Sequence, residues 1–308
     1  MIPINKKNLK KLALAHADNV LAFYQGFHRG RTLPQIDTWI STNLGSGKTF
    51  KSVLSADTQE LEFLVAEFTK KRRPAFNSAI LTIKSQYTAF RSASTSNYKD
   101  AQGIAYNGYA FAANLGLTVC PYCNRNYIYN IPDSRRTTCE LDHFYDKAAF
   151  PFLALSFYNL IPSCKTCNHL KSNAPGTYYN LHRTDLSETD ILEFHCKIMG
   201  SSFLDDTQDL QMDYTIHPDF QHTFDQLKIK ELYSKHLDLV QDIIKKRIIY
   251  DSGYIDQLYQ NYGGMVFNSR EEVVNALLSG YLQEDQIHMR PFSKLTKHIW
   301  EQLAFLDQ

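Results

Sequence analysis

The 308 residues carry 33 Lys and Arg against 32 Asp and Glu, a formal net charge of +1, with 44% hydrophobic residues. That balance excludes a disordered chain and a polycation that coats nucleic acid through its overall field, so any such contact rests on local patches or on a partner. No run of about 18 apolar residues is present to span a membrane, and Met1-Ile-Pro-Ile-Asn-Lys-Lys lacks the apolar segment of a secretory signal. The length suits two or three packed units. The 19 Tyr and 19 Phe exceed what one core needs, with core packing as the default reading.

In chain order, Leu9, Leu12, Val20, Leu21 and Phe23 recur at helical spacing and predict a helix over about residues 5–27, with Lys6, Lys7, Lys10 and Lys11 on a solvated face. Residues 30–47 read as a broken polar stretch containing Pro34. Gly45-Ser-Gly-Lys48-Thr49 is similar to the end of a phosphate-binding loop, but Thr42 stands where the pattern needs its first glycine and no strand precedes it. Asp57-Thr-Gln-Glu60 starts a helix that runs into Lys70-Lys-Arg-Arg73 and stops at Pro74. That basic cluster fits both a helix end and a nucleic-acid backbone contact. A further helix takes in Ile80, Leu81, Ile83 and Tyr87, and another is expected over about residues 100–114, stopped by Gly116.

After residue 184, Leu192 to Cys196 gives a weak strand signal. Leu227, Leu232, Leu237, Val240, Ile243, Ile244 and Ile248 make one helical stripe. Ser269-Arg-Glu-Glu272 is a capping box before Val273 and Leu277, and residues 293–306 form a last amphipathic helix. The expected architecture is mainly α: helical regions over 1–116 and 184–308 flanking a compact unit over 117–183.

The chemistry concentrates in that middle unit. Cys120-Pro-Tyr-Cys123 and Cys164-Lys-Thr-Cys167 each present two sulfurs to one ion, the pattern of a closed four-thiolate structural zinc site. Such pairs suit a reducing compartment and place the protein in the cytoplasm. Forty residues (124–163) separate the pairs, more than the ~15–20 of a compact zinc ribbon, so something folded must fill the gap. Cys139 and Cys196 stand outside the pairs and are expected to be buried. The gap holds Glu140-Leu-Asp142-His143 at the end of a short strand and Asn159-Leu-Ile-Pro162. Asn168 follows the last cysteine, with Lys171 one helical turn on and Ser163 as a candidate cap for that helix.

The series Cys120-Pro-Tyr-Cys123, Leu141-Asp-His143, Asn159-Leu-Ile-Pro162 and Cys164-x-x-Cys167-Asn168-x-x-Lys171 resembles a zinc-stapled HNH endonuclease. The wording of Pro151 to Cys164 is most similar to the HNH subunits of Septu and retron-associated bacterial anti-phage systems. The resemblance covers roughly residues 117–175 and implies a ββα-metal unit. It implies His143 as the general base, Asp142 and Asn168 as ligands of a catalytic Mg2+ or Mn2+, Asn159 as the residue orienting His143 or its loop, and Lys171 near a phosphate. Asn168 stands where the family's last histidine usually sits, and His169 beside it is the alternative ligand.

The resulting expectation is an endonuclease acting on DNA, the effector of a defence complex with an ATPase partner, with a homodimer as a further assembly. An RNA-cleaving (tRNA) nuclease and a zinc-stapled nucleic-acid-binding or adaptor module without catalysis are the alternatives.

Overall fold

The computed structural model describes residues 1–4, 8–26, 32–92, 98–100, 102–172, 179–183, 185 and 187–307. The chain is mainly helical, about 52%, and its strands form small antiparallel pairs. Helix α1 (Leu9–Gly26) turns Leu9, Ala13, Ala17, Val20 and Tyr24 inward at spacings of three and four residues, which makes one buried stripe.

The stretch read as broken is instead helix α2 (Thr32–Leu44), burying Ile36, Trp39, Ile40 and Leu44. Pro34 lies in its first turn, where the missing N–H has no intrahelical partner to lose. Gly45 and Gly47 then take positive φ (140° and 80°) to turn the chain, and Thr49 caps the short α3 (Phe50–Leu54). Lys48 is paired with Glu60, so this glycine turn is a helix connector. Asp57 caps α4 (Thr58–Lys70) by accepting from the Glu60 N–H at 3.0 Å, and Asn77 caps α5 (Ser78–Arg91) in the same way.

The helix expected from residue 100 begins only at α6 (Gly108–Leu115). Lys99 bridges Ala105 instead, and the Asp100 carboxylate accepts from the N–H groups of Gln102 and Ile104. This local alternative outcompetes the helix until Asn107 caps it. Gly116 ends α6 in the left-handed conformation (φ 61°), as its position predicts.

The central stretch opens with a short hairpin, β1 (Asn130–Ile131) and β2 (Arg136–Thr137). Strand β3 (Glu140–His143) then pairs antiparallel with β4 (Leu160–Ser163), Asp142 opposite Ile161 and His143 opposite Leu160. Helix α7 (Lys165–Lys171) follows directly and packs on β3. Its cap is Cys164, not Ser163, which is the last residue of β4.

Beyond α8 (Glu188–Ile191), the weak strand signal becomes β5 (Leu192–Ile198), paired with β6 (Leu210–Ile216) over seven residues. Short α9 (Gln221–Gln226) ends before Leu227, and Lys228 takes φ 54° where the next helix begins. The expected single stripe is then divided into α10 (Ile229–Tyr233) and α11 (Leu237–Ile249) by a turn at 234–236, where the His236 N–H donates to the Tyr233 carbonyl. Helices α12 (Ser252–Tyr262), α13 (Arg270–Leu278) and α14 (Ser293–Gln302) complete the chain, with Ser269 capping α13. The side chain of Gln302 on α14 exchanges two hydrogen bonds with the backbone of Cys196, and His298 Nδ1 accepts from the Phe194 N–H. These bonds occupy polar groups along β5 that a two-stranded sheet leaves unpaired.

One large cluster of buried apolar side chains takes in residues from Met1 to Leu303, and Ile2, Val119 and Ile287 form a small second one among the described residues. The first cysteine pair lies at a junction within the large one. Asn124 donates to the Ile287 carbonyl and accepts from the N–H groups of Phe292 and Lys294. The Tyr233 hydroxyl donates to the Cys123 carbonyl, and the Ile2 N–H to the Pro121 carbonyl.

Candidate metal centre and cleft

Two turns bring the four paired cysteines together. The first passes through Asn124 in the left-handed conformation (φ 49°), and the second is the first turn of α7. All four Sγ atoms are buried and lie within 4.8 Å of one another, with Cys123 and Cys164 4.0 Å apart. A tetrahedral ion at ~2.3 Å from each sulfur sets sulfur–sulfur distances of about 3.8 Å, so the group could hold a metal ion such as zinc.

N–H donors surround the sulfurs. Arg125 donates its backbone N–H to Cys123 Sγ at 3.4 Å, and Asn126 Nδ2 and the Cys167 N–H donate to Cys164 Sγ at 3.2 and 3.5 Å. Hydrogen bonds from Cys120, from the other two thiols and from Asn126 hold Cys164 far below the ordinary thiol range. Cys139 and Cys196 are buried outside the cluster, and burial pushes both up to about 11, leaving them inert thiols.

Strand β3 and helix α7 also line a cleft of about 740 Å3. Asp142, His143, Asn168, His169 and Lys171 all reach it. The sequence-predicted residues are therefore together in one place, except Asn159, which acts from behind. Asn159 is fully buried; its Oδ1 accepts from the Tyr145 N–H at 2.7 Å, and its Nδ2 donates to the carbonyls of Leu153 (2.9 Å) and Tyr145 (3.2 Å). It pins the chain that leaves β3 just after His143.

His143 Nε2 lies 3.1 Å from the Ala154 carbonyl. A carbonyl only accepts, so Nε2 carries the hydrogen and Nδ1 keeps its lone pair. The Tyr87 ring meets the imidazole edge-on at 4.3 Å. Burial, reinforced by Lys147 and Lys171, lowers the imidazole to about 3, so it is neutral near pH 7.

Asp142 lines the same cleft from the neighbouring position on β3. Its carboxylate accepts from the Tyr122 hydroxyl at 2.7 Å and pairs with Lys171 Nζ at 3.1 Å, with both partners of the ion pair buried. Lys171 also donates to the His143 carbonyl at 2.9 Å, so its ammonium is turned into the protein. Asn168 donates its amide nitrogen to Glu140, which leaves the amide oxygen free to act as a ligand. His169 is exposed and makes no hydrogen bond among the described residues.

Several residues in or behind the cleft have contacts there that sequence reasoning did not find. Tyr122 sits between the paired cysteines yet bonds to Asp142. Tyr87 and Arg91, four residues apart on one face of α5, reach His143 and Glu140; the Tyr87 hydroxyl donates to the Leu141 carbonyl at 2.9 Å and Arg91 lies 3.6 Å from Glu140. Arg73 and Lys147 line the same cleft. Only Arg73 had a signal, the basic run before Pro74.

No family model matches the chain, and no curated protein or solved structure does either.

Proposed function

We propose that the chain is a zinc-stapled HNH endonuclease, in which a structural zinc on Cys120, Cys123, Cys164 and Cys167 holds a ββα unit that hydrolyses phosphodiester bonds. The observation that carries this reading is the convergence of β3, β4 and α7. Their order brings an imidazole with a free Nδ1, a carboxylate and an amide oxygen to one cleft.

In this reading His143 takes the proton of the attacking water at Nδ1, and the Ala154 carbonyl steadies the imidazolium that forms. Asn159 fixes residues 144–145, and with them the direction in which the imidazole is presented. Asp142 and the Asn168 oxygen are the residues that would hold Mg2+ or Mn2+; hard oxygen donors suit those ions. The ion, when bound, supplies stabilisation of the charge that develops on the phosphate and the leaving oxygen. Lys171, held by Asp142, keeps a second positive charge beside the same carboxylate. DNA is the proposed substrate, and a defence complex with an ATPase partner the proposed setting.

One observation favours the alternative, a non-catalytic adaptor. Tyr122 and Lys171 already satisfy Asp142 within the fold, as a structural carboxylate would be. The variant His143→Ala separates the two readings. It is expected to lower Mg2+-dependent cleavage by roughly 10²–10⁴-fold while leaving the circular dichroism spectrum and zinc content unchanged. Undiminished cleavage by the variant removes the catalytic assignment.

A further inference from the structure

We infer that Arg73 and Arg91, from the helical region that precedes the cysteine pairs, form with Lys147 a phosphate-gripping wall that holds a nucleic-acid backbone in the cleft. The inference rests on the phosphodiesterase reading and adds a part contributed from outside the ββα unit.

All three cations line the cleft that Asp142, His143 and Asn168 line. The run Lys70-Lys-Arg-Arg73 divides in a way that a helix end alone does not explain. Lys70 lies in the last turn of α4, 3.6 Å from Glu67, and Lys71 Nζ donates to the Thr42 carbonyl. Arg72 and Arg73 then both take left-handed backbone conformations (φ 57° and 53°) before Pro74, and the Arg73 N–H returns to the Phe68 carbonyl at 3.1 Å. The helix therefore ends before Arg73, and the turn carries that arginine to the cleft.

Arg73 is exposed and its guanidinium has no ion-pair partner among the described residues. Arg91 is exposed, and among the described residues its one ion-pair contact is Glu140, 3.6 Å away. Lys147 Nζ lies 4.9 Å from the centre of the Tyr87 ring. The cleft of a chain of net charge +1 is lined by four cations and three carboxylates (Glu140, Asp142 and Asp146); Lys171 is held inward by Asp142, which leaves Arg73, Arg91 and Lys147 for a ligand. Guanidinium groups match phosphate oxygens in paired hydrogen bonds. Neutralised phosphates release counterions, so a wall of this kind makes binding depend on salt.

The test measures binding by fluorescence anisotropy with the full, zinc-loaded chain carrying His143→Ala, so that no probe is cut. The probes are a labelled duplex DNA, its single strand and the RNA of the same sequence, over a salt series. Adding Arg73→Ala and Arg91→Ala is expected to weaken binding roughly ten-fold at low salt on at least one probe. The slope of log affinity against log salt should also lose about 0.7–0.9 for each phosphate contact removed. Both arginines are exposed, so the thermal midpoint should not move. Lys70→Ala is the control and should bind as the parent does.

Parent-like affinity and slope in the double variant overturn the inference. So does an equal loss from Lys70→Ala, which would reveal a response to total charge alone, and so does failure of the parent to bind any probe. Arginine-dependent binding by a chain that never cleaves would keep the wall and remove the hydrolytic reading. Cleavage by the His143-intact chain with arginine-independent binding would do the reverse.

Discussion

His16 lies between the Tyr106 hydroxyl, 2.8 Å from Nδ1, and the Leu155 carbonyl, 2.7 Å from Nε2, inside a cage of Phe90, Phe111 and Phe157. His182 Nε2 meets the Leu160 carbonyl at 3.1 Å. Burial lowers both imidazoles from 6.5 to about 4. Between those values the unfolded chain binds protons that the folded chain refuses, so stability rises with pH through that window and falls on acidification. Each histidine adds roughly 1.4 kcal/mol per pH unit to the slope there. Urea unfolding at a series of pH values is expected to give midpoints that drop steeply below about pH 6.5. His16→Gln should flatten that dependence, whatever it costs at neutral pH; an unchanged slope would mean that His16 already titrates freely in the folded chain.

Single helices and strands show where local chemistry speaks through the sequence and where it does not. Asp57, Ser269 and Gly116 announce their helix ends because a cap is a short-range contact. Helix α2 is hidden because Pro34 and polar neighbours mask the stripe from Ile36 to Leu44. The break at 234–236 between α10 and α11 carries no glycine or proline to mark it, so two helices read as one. The same division runs through the cleft. Asp142, His143 and Asn168 belong to local motifs, whereas Tyr87 and Arg91 reach β3 only because α5 packs beside it. Helix α5 thus acts as the back wall of the site. Tyr87→Phe, which removes the hydroxyl bonded to the Leu141 carbonyl, is expected to destabilise the chain by about 1–2 kcal/mol. It should also lower cleavage, since the edge contact with His143 depends on the same ring position. Denaturant titration and a cleavage assay on the one variant check both.

At the scale of the whole molecule, a net charge near zero leaves recruitment to local groups or to a partner, as the proposed setting in an assembly requires. The cysteine cluster is tied to both ends of the chain, through Asn124 to Ile287, Phe292 and Lys294 and through Pro121 to Ile2. In the proposed zinc-stapled endonuclease, stripping the zinc with a strong chelator is therefore expected to abolish cleavage even when Mg2+ is in excess. It should also lower the thermal midpoint of the whole chain, as calorimetry would detect. A loss confined to the central stretch, with the flanking helices melting unchanged, would contradict that coupling.

The Tyr122 hydroxyl bonded to Asp142 takes this further. A side chain rooted between two cysteines and ending on the Asp142 carboxylate leaves no slack between clamp and cleft, so they should open as one cooperative unit. In native-state hydrogen exchange, the amides of Cys167 and Asp142 should share a single opening free energy and lose protection together as denaturant rises. Substituting Tyr122 by Phe should split that shared unit in two.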